Sequence, residues 1–372
     1  DSRFTEAGLF PVGVRRLELA GLEASVWYPA LEPSPEPVSY SYALLVFGAD
    51  SPTAIAEHAG RAGLDADVDP TGGPYPLVVL SHGYAITPSS YGWLAEHLAS
   101  HGMVVVAPHH SEVLDPRLLW RSTIARPHDI DRVVDSIPVW EDAAGFPGSF
   151  VATDRTAVVG HSYGGYTALA AAGARLHMNG FDSRCAPPET PDGLEFLCDA
   201  LVPYIDDLAS EAGLESVPSG LWPAQGSTSV DAVVSLAGDA AMFGESGLAE
   251  ADVPLLVVGG TADTDSPFEW GSQFAYDQAS SERKVEVRFD GAGHFVYTGE
   301  CSSVRRIVKL MPFGFCADAG WNRADAHAEI KNRITAFLHA ELVGDATAAA
   351  DLTDPSDDPR VRIRSKGYAD NE

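Results

Sequence analysis

Residues 156–172 read Thr-Ala-Val-Val-Gly-His-Ser-Tyr-Gly-Gly-Tyr-Thr-Ala-Leu-Ala-Ala-Ala, and no other run constrains the chain as tightly. Four apolar or β-branched residues predict a short buried strand. The small, Ala-rich segment behind them predicts a helix. Between them stands Gly160-His161-Ser162-Tyr163-Gly164. A strand that passes into a helix through so few residues must turn sharply, and the turn strains the serine backbone and exposes its hydroxyl. The flanking glycines leave room for neighbouring main chain to approach. A Gly-rich helix entry with an incidental serine is the competing interpretation, and the flanks argue against it.

Strand-like and helix-like runs alternate on both sides of this turn. Segments 14–19 and 24–29 alternate apolar and polar residues and predict an opening hairpin. A Pro-rich loop over 32–37 follows, then a helical or irregular stretch ending at 65–70. The alternating Asp65, Asp67 and Asp69 there lack the glycine and terminal glutamate of a calcium loop and read as a solvated turn. Residues 77–80, 103–108, 232–236, 254–258 and 285–289 predict further strands, with 285–289 the last. Helices are expected over 89–100, 129–139 and 324–342. The alternation predicts an α/β chain in a single domain over 1–372, built on one doubly wound, mostly parallel sheet. Residues 175–229, rich in Pro, Gly and aromatics, interrupt it and are expected to form a lid or pocket wall over the sheet edge. Residues 344–372 read as an acidic, loosely held tail.

With 24 Lys and Arg against 53 Asp and Glu, the formal charge is −29. Such a surface repels phosphate backbones and anionic lipids, so nucleic acid is not an expected partner. No apolar run approaches the roughly 20 residues of a membrane span. The chain opens Asp1-Ser2-Arg3, consistent with a removed signal peptide. Its four cysteines fall in two local pairs, Cys185 with Cys198 and Cys301 with Cys316. Neither pair has the spacing of a zinc or redox motif, and each brackets a loop-like segment. Two short-range disulfides are expected, and with them a secreted or periplasmic location; four free thiols in a cytosolic protein are the alternative.

Acyl transfer by a serine needs a base, an acid that orients it, and donors for the developing oxyanion. His294, in the Gly-rich loop 290–295 directly after a predicted strand, is the expected base. Asp263 follows the strand at 254–258 and is the expected acid. Asp239, after the strand at 232–236, is the alternative, and Asp265 could substitute in geometry. Either strand-end aspartate could instead cap a helix. The oxyanion donors are expected to be the backbone N–H groups of Tyr84, in the turn after 77–80, and Tyr163. His82 reads as a brace of that turn. His109, His110 and Glu112 raise a zinc question, but neighbours on an extended segment point to opposite sides, and no metal motif accompanies them.

Segments 80–83, 94–102, 105–108 and 160–165 resemble the bacterial dienelactone hydrolase-like esterases, relatives of the platelet-activating factor acetylhydrolases. The resemblance spans about 14–342 and implies an α/β-hydrolase fold and a cofactor-free serine esterase with Ser162 as nucleophile and His294 as base. A dienelactone hydrolase proper has cysteine at the nucleophile position, unlike this chain. The acetylhydrolases hold their acid at a position like Asp239. Loops 259–267 and 291–295 resemble those of bacterial cutinases and polyester hydrolases, which favours Asp263. The expected substrates are short to medium acyl or aromatic esters, held in an apolar pocket lined by Tyr84, Tyr163 and Trp222 of the insertion. Polyesters and acetylhydrolase-type phospholipids are alternatives, as is a silent binding protein on the same fold. Composition leaves the oligomeric state open.

Overall fold

The computed structural model describes residues 3–46, 48–49, 51–140, 146–187, 192–226, 229–301, 315–316, 318 and 320–368. Its strands are β1 (Val12–Leu19), β2 (Leu22–Pro29), β3 (Pro37–Leu44), β4 (Thr53–Leu64), β5 (Tyr75–Ser81), β6 (Val104–Pro108), β7 (Val151–His161), β8 (Ala232–Leu236), β9 (Leu255–Gly260), β10 (Lys284–Phe289) and β11 (Val361–Lys366). They form one 11-stranded sheet in the order β11-β10-β9-β8-β7-β5-β6-β2-β1-β4-β3. The run from β10 to β6 is parallel throughout. With helices on its faces, this is the α/β-hydrolase fold that the motifs imply.

The central strands are buried on both faces, which their unbroken apolar runs foretell. Along β5, Leu77 and Val79 join one hydrophobic layer, while Val78 and Leu80 join the other. The opening hairpin forms as expected, since Ala20 and Gly21 both take positive φ (51° and 79°), as a two-residue turn between twisted strands requires.

Two expectations are corrected. The stretch before residue 65 is not helical or irregular. It is the antiparallel pair β3–β4. The Ala-, Gly- and charge-bearing sequence of β4 has little strand propensity of its own, and pairing with β3 overrides that preference. Nor is 285–289 the last strand. The described part of the tail contributes β11, antiparallel to β10 over residues 361–366, where Arg364 takes both oxygens of Glu286 at 2.6 Å. A tail loosely held throughout is therefore wrong.

Helix α1 (Gly92–Ser100) matches expectation, whereas α2 (Leu119–Ser136) starts ten residues earlier than the pattern suggests and carries Pro127 inside it. Helix α3 (Tyr163–Ala171) leaves the turn after β7 directly. The insertion folds into α4 (Met178–Cys185), α5 (Glu195–Leu201) and α6 (Ile205–Glu211); its residues 188–191 and 227–228 lie outside the described ones. Both expected disulfides are present, Cys185–Cys198 and Cys301–Cys316. No helix among the described residues is long and apolar enough to cross a membrane.

Candidate active site

Ser162 sits between β7 and α3 with φ 57° and ψ −122°, a backbone region that costs a non-glycine residue free energy and recurs where a nucleophile must project from a tight turn. The turn closes only because its glycines have no side chain. A Cβ on Gly160 would lie 1.9 Å from the carbonyl oxygen of Gly164, and one on Gly164 would lie 2.0 Å from that of Ser81. The Ser162 N–H donates to the Leu236 carbonyl at 2.9 Å, tying the turn to β8.

Two further loops converge on this serine. His294, just beyond β10, has Nε2 at 2.8 Å from Ser162 Oγ. Its Nδ1 lies 2.8 Å from Asp263 Oδ2, in the loop after β9. The other oxygen of Asp263 accepts the backbone N–H groups of Asp265 and Ser266 at 2.9 and 2.8 Å, which locks the carboxylate toward the ring. Burial alone would drive the proton off His294, but the charges of Asp263, Asp265 and Asp239 and the hydrogen bond to Asp263 outweigh it and raise its pKa to about 9.

Asp239 occupies the same neighbourhood without touching the imidazole. Its Oδ1 accepts the Ser266 hydroxyl at 2.6 Å. Burial raises its pKa to about 7, against the lowering effects of that bond and of His294. Asp265 is exposed and lines the cavity mouth. Among the described residues, Asp263, Asp265 and His294 also form the one grouping whose candidate metal-ligand atoms lie within 4.8 Å of each other; two of the three residues, His294 and Asp263, are hydrogen-bonded to each other.

Tyr163 is the first residue of α3, so its amide has no partner within the helix. Tyr84 lies in the turn after β5, where both neighbouring amides are engaged: Gly83 N–H donates to Tyr91 Oη at 3.0 Å and Ala85 N–H to Glu112 at 2.7 Å. Arg126, fully buried on α2, braces this turn by donating to the carbonyls of His82 and Gly83 at 2.6 and 3.3 Å and by pairing with Glu112. Burial pushes the Glu112 carboxyl up, yet the Arg126 charge and hydrogen bonds prevail and hold it below the usual range.

The histidines of the zinc question point apart. His109 meets Ser25, and His110 bridges Ser81 Oγ at 2.9 Å to Asp129 Oδ2 at 2.8 Å. The latter is a second Ser–His–Asp array, buried beneath the turn. His82 spends Nδ1 on the Gly83 carbonyl and Nε2 on the His110 N–H, the bracing expected of it. The sequence reading misses Arg126, Asp129 and Tyr91 here, and it raises Glu112 only in the zinc question.

A cavity of about 340 Å³ opens over Ser162. Leu44, Ile86, Leu114, Leu119, Phe295 and Phe315 line it, with Tyr84 and Tyr163. Phe196 and Leu197 of α5 form the wall supplied by the insertion, one or two residues from the Cys185–Cys198 staple. Trp222 is not a lining residue. It is fully buried in the core, its main chain bonded to Leu176 and Arg175, because an indole of that size removes more apolar surface from water there.

Residues 68–181 match the Chlorophyllase family. That segment contains Ser162 and the Tyr84 turn but neither His294 nor Asp263. The chain is 33% identical over 117 residues to "Cutinase est1" of Thermobifida alba, covering 32% of this chain and 35% of that protein. It is equally similar to "Cutinase 2" of Thermobifida cellulosilytica, 40% of which is covered. "Chlorophyllase-2" of Arabidopsis thaliana is 31% identical over 106 residues, 27% of this chain and 30% of that protein. The chain thus spans about a third of the length of the curated relatives it matches.

Proposed function

We propose that the protein is a serine carboxylic-ester hydrolase. Ser162 attacks the ester carbonyl while His294 takes its proton through Nε2. Asp263 holds the ring with Nδ1–H toward itself and stabilises the imidazolium that forms. The N–H groups of Tyr84 and Tyr163 receive the oxyanion. His294 then returns the proton to the leaving alcohol, and the cycle repeats with water on the acyl-enzyme. These residues can carry the chemistry without a cofactor.

The observation that carries this reading is the unbroken line of two 2.8 Å hydrogen bonds from Ser162 through His294 to Asp263, at the floor of an apolar cavity. Ester-hydrolysing relatives support it. The apolar lining and volume favour short to medium acyl or aromatic esters, with the insertion as pocket wall or lid. Two disulfides support a location outside the reducing cytoplasm, and the formal charge of −29 weighs against nucleic acid as a partner. Hydrolysis of p-nitrophenyl butyrate, abolished in Ser162→Ala, tests the scheme, and wild-type rates in that variant would reject it.

Polyester hydrolysis is a second reading, favoured by the similarity to proteins named cutinase. Release of soluble acids from a polyester film supports it, and activity confined to soluble esters opposes it. The acetylhydrolase-like assignment rests on the motifs alone, and hydrolysis of short-chain acyl phospholipids is its test.

A further inference from the structure

His161, the second residue of the pentapeptide, ends β7 with 1% of its surface exposed. Its ring reaches two separate loops. Nε2 lies 3.0 Å from the carbonyl oxygen of His294. Nδ1 lies 2.8 Å from Tyr91 Oη, which also accepts the Gly83 N–H at 3.0 Å. Gly83 immediately precedes Tyr84.

Proton accounting fixes the direction of this chain. A carbonyl can only accept, so Nε2 carries the hydrogen and donates to His294. Tyr91 receives Gly83 N–H and has one proton of its own, which it gives to the unprotonated Nδ1. Every donor and acceptor along the line is used once. Burial first, and the nearby His294 second, push the His161 pKa well below the ordinary histidine value. The ring therefore stays neutral while His294, whose ring centre is 4.8 Å away, gains and loses a proton. Packing alone would need the volume of the ring and neither nitrogen.

We infer that His161 is a positioning residue that clamps the main chain of His294 to the turn bearing Tyr84, keeping base and oxyanion donor in register about Ser162. The inference rests on the esterase reading above. The link runs directly between the two loops, and sub-ångström drift between reacting groups is costly to rate.

Three variants assayed on a short-chain p-nitrophenyl ester test it, with thermal melts alongside. His161→Leu lowers kcat roughly ten- to a hundredfold and leaves KM nearly unchanged. His161→Gln restores most of that loss, since its amide offers an acceptor and a donor attached to one carbon, as the two ring nitrogens are. Tyr91→Phe severs only the Gly83 arm and lowers kcat by a smaller factor at unchanged KM. Wild-type kcat in His161→Leu overturns the inference, as does a folded His161→Gln that is as slow as the leucine variant. Should His161→Leu fail to fold, Tyr91→Phe decides, and wild-type kcat there is the refuting result. A wild-type protein that neither cleaves esters nor takes a fluorophosphonate on Ser162 defeats the esterase reading and this inference with it; an active wild type indifferent to His161→Leu defeats only the clamp.

Discussion

Asp239 accepts the Ser266 hydroxyl at 2.6 Å, while the Ser266 backbone N–H goes to Asp263 at 2.8 Å. One serine thus turns two strand-end carboxylates in different directions, and only Asp263 is left facing the imidazole. The expected outcome is an unequal pair of variants. Asp263→Asn leaves the geometry but favours the wrong histidine tautomer, and kcat falls by on the order of 10⁴. Asp239→Asn keeps kcat within about tenfold. Steady-state kinetics of the two on one ester decides between them.

The rate should respond to pH on the alkaline side of an ordinary histidine. The proposed scheme needs neutral His294, and its raised pKa, up to about 9, means the proton is retained as pH rises past 6.5. The kcat/KM profile therefore has its ascending limb above pH 6.5. Asp265 is one of the charges that raise this value, so Asp265→Asn should move the limb to lower pH. An unmoved limb, followed in the pH profile of both proteins, contradicts the assignment of His294 as base.

Stability should carry an opposite signature from Asp239. Its folded pKa of about 7 lies above the ordinary aspartate value, so between the two the native state holds the extra proton and stability declines as pH rises. Above pH 7 the full penalty is present. Asp239→Asn removes the charge and keeps an oxygen for Ser266. It should melt a few degrees higher than wild type at pH 8, with the gap closing toward pH 4. Melting curves at both pH values measure this, and an equal gap at both would contradict it.

Breaking the buried pair behind the Tyr84 turn should cost both stability and rate. Arg126→Met strands the Glu112 carboxylate and releases the carbonyls of His82 and Gly83, a loss of about 3–5 kcal/mol. Adding Glu112→Leu should recover stability in urea denaturation but not kcat, since the turn remains unbraced. Full recovery of both would show the pair to be packing alone.

Much of the framework was legible in the residues. The parallel core follows from apolar runs such as 77–80 and 255–258, which have no polar face to offer water. The elbow follows from glycines that a tight turn demands, and the two disulfides from the short spacing of each cysteine pair. The pair β3–β4 was not legible, because Ala and Gly in β4 prefer no strand until a neighbour supplies hydrogen bonds. The edge strand β11 was hidden for a related reason: its Arg364 makes sense only opposite Glu286, 78 residues earlier in the chain.

Local sequence therefore determined the central parallel strands and the turn that presents Ser162, since backbone sterics and apolar burial act over a few residues. Tertiary structure alone decided which carboxylate meets His294, and that Arg126, His110 and His161 stand behind the site. Hydrogen bonds and ion pairs in the interior are short and directional. Their partners lie far apart in the chain, 133 residues in the bond from His161 to His294, and nothing in a local pattern specifies them before the chain has folded.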